Sequence, residues 1–343
     1  MTVTTLSERR GGAVRATMHD VAHVAGVSLK TVSRVVNEEP GVHPLTARRV
    51  RYAIDEVGFR RHPDARSSPA GAIAVVAEDM ANPFSALLIG AVQEAAGQHD
   101  RQVLVASSNG DPCRERELVL DFCARRIDGL LVVPAGRRYA YLTPELRAGI
   151  TMVFVDRPAG DIAADTVLLD NAGGVAKAVG HLARHGHRRI AYIGDAPRIF
   201  TAAERLRGFR SGCAASGLRF DEALVAMGPH DRRSIAAALQ RVLRRPAPAT
   251  AVVTGNNRIT VLVLRVLTGW RDRPALVGFD DFELADLLEP KVSVIAHDVG
   301  ALGRAATDLL LARLGGADSP PHHLTLPVHL IPRGSGEAFP REG

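Results

Sequence analysis

The sequence predicts an α/β protein with a small helical domain at its N-terminus and a larger body made of parallel sheets in two lobes. Helical spacing of apolar residues runs from Thr17 to about Gly58. After a short segment rich in Pro, Ser, Asp and Arg, brief β-branched apolar runs alternate with helical segments, which is typical of parallel sheets covered on both faces. Nine such runs are AIAVVAED, QVLVASSN, DGLLVVP, TMVFVD, TVLLDN, RRIAYIGD, ATAVVTG, ALVGFDD and VSVIAHD. Because about nine or ten strands exceed one comfortable doubly wound sheet, we expect two lobes.

The composition is that of a globular protein that needs no disulfide or structural metal to fold. Of 343 residues, 46% are hydrophobic, and 43 Lys and Arg outnumber 37 Asp and Glu. Cys113, Cys123 and Cys213 match no zinc-ligand or CxxC spacing, which fits a reducing cytosol. No apolar run reaches the roughly 18 residues of a membrane span, and the N-terminal segment lacks an apolar signal core. We therefore expect a cytoplasmic protein with no membrane partner, no cofactor and no bound metal.

Composition divides the chain into five segments. We expect a disordered tail over 1–16, a headpiece over 17–59, a linker over 60–71, a body over 72–335 and a polar tail over 336–343. Residues 1–66 hold 11 Lys and Arg against 7 Asp and Glu, so most of the net charge of +6 lies there. A basic head on a near-neutral body favours a polyanionic partner for the head, with a solvated basic face as the alternative.

The headpiece has the spacing of a helix-turn-helix. Ala22 stands where two short helices would cross closely, and Gly26, four residues later, can adopt the positive φ of a tight turn. Thr17 and Ser28 precede the two helices and can act as N-caps. The positions expected to face inward are Val21, Ala25, Val27, Val32 and Val35.

The exposed side of the second helix is the candidate DNA-binding surface. It would present Leu29, Lys30, Ser33 and Arg34, which are residue types that contact bases and phosphates in a major groove. The alternative is an ordinary helical hairpin whose exposed residues bind nothing. The agreement of the small residue, the glycine, the cap and the apolar positions in one register favours DNA binding.

These residues resemble the DNA-binding headpiece of the lactose-repressor (LacI-GalR) family of bacterial transcription regulators. The resemblance rests on TMHDVAHVAGVSLKTVSRVVNEEPGVHPLTARRVRYAIDEVGFR in the headpiece and, in the body, on MANPFSALLIGAV, RRIDGLLVVP, VDRPAG, HLARHGHRRIAYIGD, ERLRGF, ALVGFDDFELADLLEP and ALGRAATDLLL in the family's order. It extends from Thr17 to about Arg333. It implies a ligand-controlled repressor that binds a palindromic operator as a homodimer.

The resemblance also implies which residues contact double-stranded DNA. In the family the second helix enters the major groove, so Leu29, Lys30 and Arg34 correspond to base-reading positions. The remaining expected DNA-binding residues, which contact or position phosphates, cap helices or lie in the linker, are Thr17, Ser28, Thr31, Ser33, Asn37, Thr46, Ala65 and Arg66. His43 stands where the family has a Ser or Thr cap, so a weaker cap is expected there.

The linker departs from the family pattern. In the family it folds on the operator into a hinge helix whose leucine wedges into a minor-groove base step. Ser68 occupies that position here and Pro69 follows it. A serine cannot supply the apolar contact that offsets unstacking, and Pro69 would end a helix at about Ser68. We therefore expect a weaker DNA bend, or none, at the central step.

For the body, the resemblance implies a periplasmic sugar-binding fold, with two lobes joined by three crossovers and the effector in the cleft. The expected effector-binding residues are Asn82, Phe84, Asp156, Arg157, Thr201, Arg205, Asn256 and Asp280. Polar side chains of these types pair with neighbouring hydroxyls, and an aromatic ring can stack on a sugar or a base. The expected effector is a sugar or similar polyol, and a purine is the less favoured alternative. Asn257 replaces the Asp of the family's Asn-Asp pair, and the usual aromatic residue near His230 is missing, so no familiar sugar is assumed.

Other functions fit the sequence less well. His181, His185 and His187 have a spacing that could hold zinc, but no Glu follows the first His as in HExxH, and similar histidines occur in the family. No Ser/His/Asp or paired-carboxylate set has a catalytic context, so an enzyme is not expected. The main alternative is a cytosolic protein that binds a sugar or nucleoside and has no DNA function.

Overall fold

A computed structural model of the chain describes residues 18–36, 40–57, 71–125, 127–228 and 231–340. The chain divides between Ser68 and Pro69 into two compact units, each of which is considered by itself. The sequence predictions that lie outside the described residues are the tail over 1–16, the end of the headpiece over 58–59, the linker over 60–70, the last residues 341–343 of the polar tail, and Thr17, Asn37, Ala65, Arg66, Ser68, Pro69 and His230.

The described part of the N-terminal unit contains three helices, α1 (Met18–Ala25), α2 (Leu29–Val36) and α3 (Pro44–Val57). Gly26 joins the first two with a φ of +61°, a conformation that costs an L-residue with a side chain about 1–2 kcal/mol. Ser28 caps α2, since its Oγ accepts from the Thr31 N–H at 3.2 Å. The predicted helix-turn-helix is therefore confirmed.

A small apolar core holds this unit together. Its fully buried members are Val21, Ala25, Val32, Val35, Val50 and Ala53. Four of these were expected to face inward from the spacing, and the fifth expected position, Val27, is half-buried against them. The guanidinium of Arg49 on α3 donates to the Ala25 carbonyl at 2.7 Å and so ties the C-terminus of α1 to α3.

Strands and helices alternate along most of the body. In chain order the elements are β1 (Ala72–Ala77), α4 (Pro83–Gly97), β2 (Gln102–Ser107), α5 (Pro112–Ala124), β3 (Gly129–Val132), α6 (Thr143–Arg147), β4 (Thr151–Val155), β5 (Asp165–Leu169), α7 (Asn171–Arg184), β6 (Ile190–Gly194), α8 (Phe200–Ala215), β7 (Val225–Met227), α9 (Arg232–Leu243), β8 (Ala251–Thr254), α10 (Asn257–Leu267), β9 (Ala275–Phe279), β10 (Ser293–Ala296), α11 (Val299–Leu314), β11 (His323–Leu326) and β12 (His329–Ile331).

Two six-stranded sheets define two lobes. The first lobe has the strand order β11-β5-β4-β3-β1-β2, and the second has β12-β10-β9-β8-β6-β7. Among the described strands, all pairings are parallel except that between β10 and β12. The chain passes between the lobes after β5, after β10 and between β11 and β12, so the expected three crossovers are present. All nine predicted apolar runs form strands.

Three short strands were not predicted. They are β7, β11 and β12, each only three or four residues long and each at the edge of a sheet. Their side chains are mostly exposed or half-buried, whereas the central strands β1, β3, β6, β8 and β9 are buried at every residue. An edge strand needs no continuous apolar run, because only one side of it pairs and little of it is covered.

The segment beyond residue 335 packs on the second lobe through its first residues. The carboxylate of Glu337 bonds with the imidazole of His181 and accepts from the Ser293 hydroxyl at 2.8 Å. His187 bonds with the Ala338 carbonyl at 2.7 Å and with the Thr250 hydroxyl at 2.9 Å. His185 contacts the His181 carbonyl at 2.9 Å. His181 and His187 thus anchor residues 337–338 to the second lobe.

None of the helices in the described ranges is long and apolar enough to cross a membrane.

Candidate effector site and DNA-binding surface

A cavity of about 890 Å³ lies between the two lobes of the body, outside the carboxyl ends of strands from both sheets. This is the place where ligands bind in open α/β sheets. All eight residues expected to bind an effector line it, namely Asn82, Phe84, Asp156, Arg157, Thr201, Arg205, Asn256 and Asp280. The tertiary structure therefore brings the eight expected residues together around one cavity.

Two of these residues are held by helix N-termini on opposite sides of the cleft. In the first lobe, Asn82 caps α4, and its Oδ1 accepts from the Phe84 N–H at 3.1 Å. In the second lobe, Asn256 caps α10 through the Ile259 N–H at 2.9 Å and donates from Nδ2 to the Asp195 carboxylate. Capping fixes both side chains without ligand, so the amides are pre-positioned.

Two buried aspartates occupy equivalent places in the two lobes. Asp156 directly follows β4 and Asp280 directly follows β9, and both adopt left-handed backbone conformations, with φ of 67° and 65°. Non-glycine residues with positive φ carry strain that is concentrated at functional sites. The backbone N–H groups donate to the Val167 and Ile295 carbonyls at 2.8 and 2.9 Å. These bonds aim the two carboxylates into the cleft.

Neither carboxylate has a hydrogen-bond donor among the described residues. The Arg157 Nε lies 3.7 Å from Asp156, and the Arg205 Nη1 lies 3.6 Å from Asp280, which is too far for a good hydrogen bond. Burial raises the pKa of Asp156 from 3.8 to about 6, although Arg157 and Arg205 oppose this change. The site therefore has acceptor capacity that a hydroxyl-bearing ligand can use.

The two arginines are fixed by other bonds. Arg157 donates to the Pro134 carbonyl at 2.7 Å and to the Glu78 carboxylate. Arg205 donates to Asn171 at 2.7 Å and to a backbone carbonyl after β8, and its guanidinium lies 3.8 Å from the centre of the Phe279 ring. Both are less than 10% exposed, so their orientation is set before any ligand arrives.

Several lining residues were not predicted from the sequence. Glu78 and Asp79 follow β1, and Asp195 follows β6, so the rule that polar residues after strands meet at one edge could have found them. Arg258 also lines the cleft, and it donates to Asp79 at 2.6 Å across the two lobes. Asn257 lies within 3.5 Å of Asn82 in the other lobe. No sequence spacing indicates these contacts between lobes.

His297, at the end of β10, is a further buried polar residue beside the cleft. Its ring lies 3.7 Å from Asp280 and 5.9 Å, between ring centres, from Phe84. Neither ring nitrogen has a hydrogen-bond partner in the described part of the chain, and burial lowers the pKa of the imidazole. The ring is thus held neutral between the aromatic and acidic members of the site.

In the N-terminal unit, α2 separates an apolar face from a polar one. Val32 and Val35 are buried, whereas Ser28, Leu29 and Lys30 are exposed. Thr31, Ser33, Arg34 and, on α3, Thr46 are half-buried. The predicted DNA-binding residues in the described part thus lie on α2 or directly before it, except for Thr46, which lies on α3.

The replacement cap at α3 is a weak one. The His43 Nδ1 accepts from the Leu45 N–H at 3.4 Å, which is near the limit for a hydrogen bond. Pro44 begins the helix, where its missing N–H leaves no unpaired donor. This agrees with the weaker cap expected from the sequence.

A helix-turn-helix unit followed by two lobes around a polar cleft defines a DNA-binding transcriptional regulator with a ligand-binding body. Residues 17–62 match the model of bacterial regulatory proteins of the lacI family, and residues 179–336 match that of the periplasmic binding protein-like domain. The HTH-type transcriptional regulator CelR of Thermobifida fusca is 32% identical over 336 residues, covering 94% of this chain and 98% of the relative. The chain belongs to the lacI family of bacterial transcription regulators.

Solved structures agree with this assignment. A complex of the transcriptional regulator CelR with cellobiose is 30% identical, with a TM-score of 0.69, and covers 94% of this chain and 100% of that chain. A Lac repressor dimer bound to operator and the anti-inducer ONPF is 24% identical, with a TM-score of 0.70 and coverages of 94% and 100%. The second comparison shows the shared fold.

Proposed function

We propose that this regulator binds a sugar or a similar polyol in the cleft between its lobes and that the bound ligand controls its affinity for an operator. The observation that carries the proposal is the pair of buried carboxylates, Asp156 and Asp280, which face the cleft from opposite lobes without hydrogen-bond donors among the described residues. Hydroxyl groups supply donors of the required kind, and a ligand that bonds to both lobes stabilises their closed arrangement. The relative whose structure contains cellobiose supports a sugar as the ligand.

The remaining expected site residues complete a polyol site. Arg157, Arg205, Asn82 and Asn256 supply donors and acceptors around the two carboxylates, Thr201 adds a hydroxyl, and Phe84 offers an apolar ring for stacking. A hydroxyl missing from a ligand would leave one of these buried groups unpaired, at a cost of roughly 1–3 kcal/mol. Specificity among sugars therefore follows from which hydroxyls reach which groups.

For DNA, the proposal places α2 in the major groove. Leu29, Lys30 and Arg34 contact base edges, and Ser28, Thr31, Ser33 and Thr46 contact or position phosphates. Two copies bind a palindromic operator, since two headpieces on a symmetric dimer add their energies. The Lac repressor structure, a dimer on its operator, supports this arrangement. The protein acts where the chromosome is, in the cytoplasm, and as a repressor.

Control of DNA binding requires that the ligand distinguish two arrangements of the lobes. The ion pair of Arg258 with Asp79 and the contact of Asn257 with Asn82 already join the lobes at the edge of the cleft. A ligand shifts the equilibrium only by its difference in affinity for the two states, and a change from 1:99 to 99:1 needs about 10⁴-fold. Contacts to both Asp156 and Asp280 provide such a difference, because only the closed cleft makes both.

Thermal-shift screening tests the effector half of the proposal. The panel contains cellobiose, glucose, galactose, ribose, glycerol, adenine and adenosine. A ligand at 100 times its dissociation constant adds about 2.7 kcal/mol to stability and raises the melting temperature measurably. We expect a sugar to do this and the Asp280→Asn variant to lose the response. If adenine alone raises the melting temperature, the effector is a purine base and not a polyol.

A DNA-binding titration tests the other half. The full-length protein and its Arg34→Ala variant are titrated against genomic fragments at several salt concentrations, with the exposed body residue Arg219→Ala as the matched control. We expect specific binding that weakens steeply with salt, is lost in Arg34→Ala and is unchanged in Arg219→Ala. Sugar binding without any specific DNA binding would instead support a small-molecule-binding protein with no DNA function.

A further inference from the structure

A buried carboxylate outside the cleft organises a turn next to it. Glu115 lies in the first turn of α5 and is 1% exposed. Its two oxygens accept from the Ala135 N–H and from the Tyr139 hydroxyl, the latter at 2.7 Å. The Tyr139 oxygen in turn accepts from the Gly136 N–H at 3.2 Å. Glu115 thus holds the backbone at Ala135 and, through the Tyr139 hydroxyl, at Gly136, while the carboxylate of Asp161 accepts from the N–H groups of Tyr139 and Ala140.

This turn begins at a residue that holds an effector-site arginine. The carbonyl of Pro134, directly before Ala135, accepts from the Arg157 Nη1 at 2.7 Å. The other terminal nitrogen of Arg157 donates to Glu78, and its Nε is buried with no hydrogen-bond partner among the described residues. The orientation of the Arg157 guanidinium therefore depends on the position of the Pro134 carbonyl oxygen.

Glu115 is an ionisable side chain at a position that is almost fully buried. Burial of an ionisable side chain is costly, and it raises the pKa of Glu115 above its ordinary value. The charge of Arg157 acts in the opposite direction on the same carboxyl, so the two groups interact electrostatically as well as through the turn. Glu115 on α5 therefore acts on Arg157, which lines the cleft, both through its charge and through the backbone at residues 134–135.

We propose that Glu115 is a positioning residue for the effector site, because it holds the 134–139 turn and through it the guanidinium of Arg157. It does not line the cleft itself, since the cavity wall on this side is formed by Arg157, Asp156 and Glu78. The proposal rests on the effector site described above for its functional consequence, but its structural part concerns Arg157 alone.

The structural part is tested without any ligand. The protein is labelled with ¹⁵N-arginine, and the Arg157 Nε–H signal is assigned by its absence in Arg157→Lys. We expect its hydrogen exchange to be at least about tenfold faster in Glu115→Gln, because the amide cannot hold the turn as the carboxylate does and the arginine opens more often. Glu117→Gln, an exposed change on the same helix, should leave the signal and its exchange unaltered.

The functional part is tested by a double-mutant cycle with cellobiose as the probe. We expect Glu115→Gln to weaken binding about three- to tenfold, the effect of one displaced hydrogen bond, and to have no further effect in the Arg157→Lys background. Tyr139→Phe, which removes only the bridging hydroxyl, should act in the same direction. If cellobiose does not bind, the choice of sugar is wrong and the exchange measurement alone decides about Glu115.

A structural role alone gives a different pattern. Glu115→Gln would then lower the melting temperature while the exchange of Arg157 stayed as in the parent protein, or its effect on binding would add fully to that of Arg157→Lys. Either result would overturn the proposal. If Glu115→Gln does not fold, Tyr139→Phe provides the same two measurements.

Discussion

Replacing Asp156 with Asn should stabilise the ligand-free protein at neutral pH. The pKa of this buried carboxyl is about 6 against an ordinary 3.8, so the folded state binds the proton more tightly than the unfolded state does. Folding therefore disfavours ionisation, and stability falls as the pH rises from 3.8 through about 6. The difference in pKa corresponds to on the order of 3 kcal/mol, since a tenfold change in proton affinity is worth about 1.4 kcal/mol.

The size of the effect depends on pH in a way that the two pKa values fix. About half of the penalty is present at about pH 5, because the unfolded chain is then ionised and the folded one is mostly protonated. The full penalty is present above about pH 7. The amide introduced by the substitution would itself be buried, so the change with pH, rather than the absolute difference, carries the test.

Urea unfolding of the parent and of Asp156→Asn at about pH 5 and about pH 7.5 measures this change. The advantage of the variant should grow by about 1.5 kcal/mol between the two conditions. Asp308→Asn, an exposed change on α11, should show no such growth. An equal advantage for Asp156→Asn at both pH values would show that the carboxyl titrates as it does in the unfolded chain. The variant should also bind the effector more weakly, because it loses an anionic acceptor.

Three further substitutions test other parts of the structure. Gly26→Ala places a side chain on a residue with a φ of +61°. The headpiece should therefore be about 1–2 kcal/mol less stable, as measured by hydrogen exchange. Unchanged hydrogen exchange would show that residue 26 does not adopt this left-handed conformation. In Arg205→Lys, the lysine cannot make both of the hydrogen bonds that the guanidinium donates to Asn171 and to a backbone carbonyl. The effector affinity measured by calorimetry should therefore be about tenfold lower. An affinity equal to that of the parent protein would argue against a role for the guanidinium. Gly208→Ala would place a methyl group against the Ala172 carbonyl oxygen, where α7 and α8 are in contact. The free energy of unfolding of the body, measured with urea, should therefore fall by about 1–3 kcal/mol. An unchanged unfolding midpoint would mean that the two helices are farther apart than in this structure.

Local spacing was enough to predict the N-terminal unit. The turn glycine, the Ser28 cap and the buried Val32 and Val35 all lie within a dozen residues, and each obeys a rule about its immediate neighbours. The central strands were equally accessible, because strands buried on both faces are continuously apolar. The short edge strands β7, β11 and β12 and the Glu337 contacts were not, because these strands are only three or four residues long and mostly exposed or half-buried, and the partners of Glu337 come from elsewhere in the chain.

The effector site shows both situations. The eight expected residues came from a family resemblance, and the rule for strand ends explains why Asp156 and Asp280 each lie at the carboxyl edge of a sheet. The contacts of Arg258 with Asp79, and the position of His297 next to Phe84, depend on how closely the lobes approach. The spacing of residues along the chain does not predict the distance between the two lobes.

The sequence by itself determined the order of helices and strands, the helix-turn-helix and the kinds of side chain at the strand ends, because these depend on interactions between near neighbours. Only the tertiary structure decided which of those side chains are buried, which lack partners among the described residues and which titrate abnormally. Burial and electrostatic interaction depend on distance in space, and the chain sets that distance only when the two lobes have folded against each other.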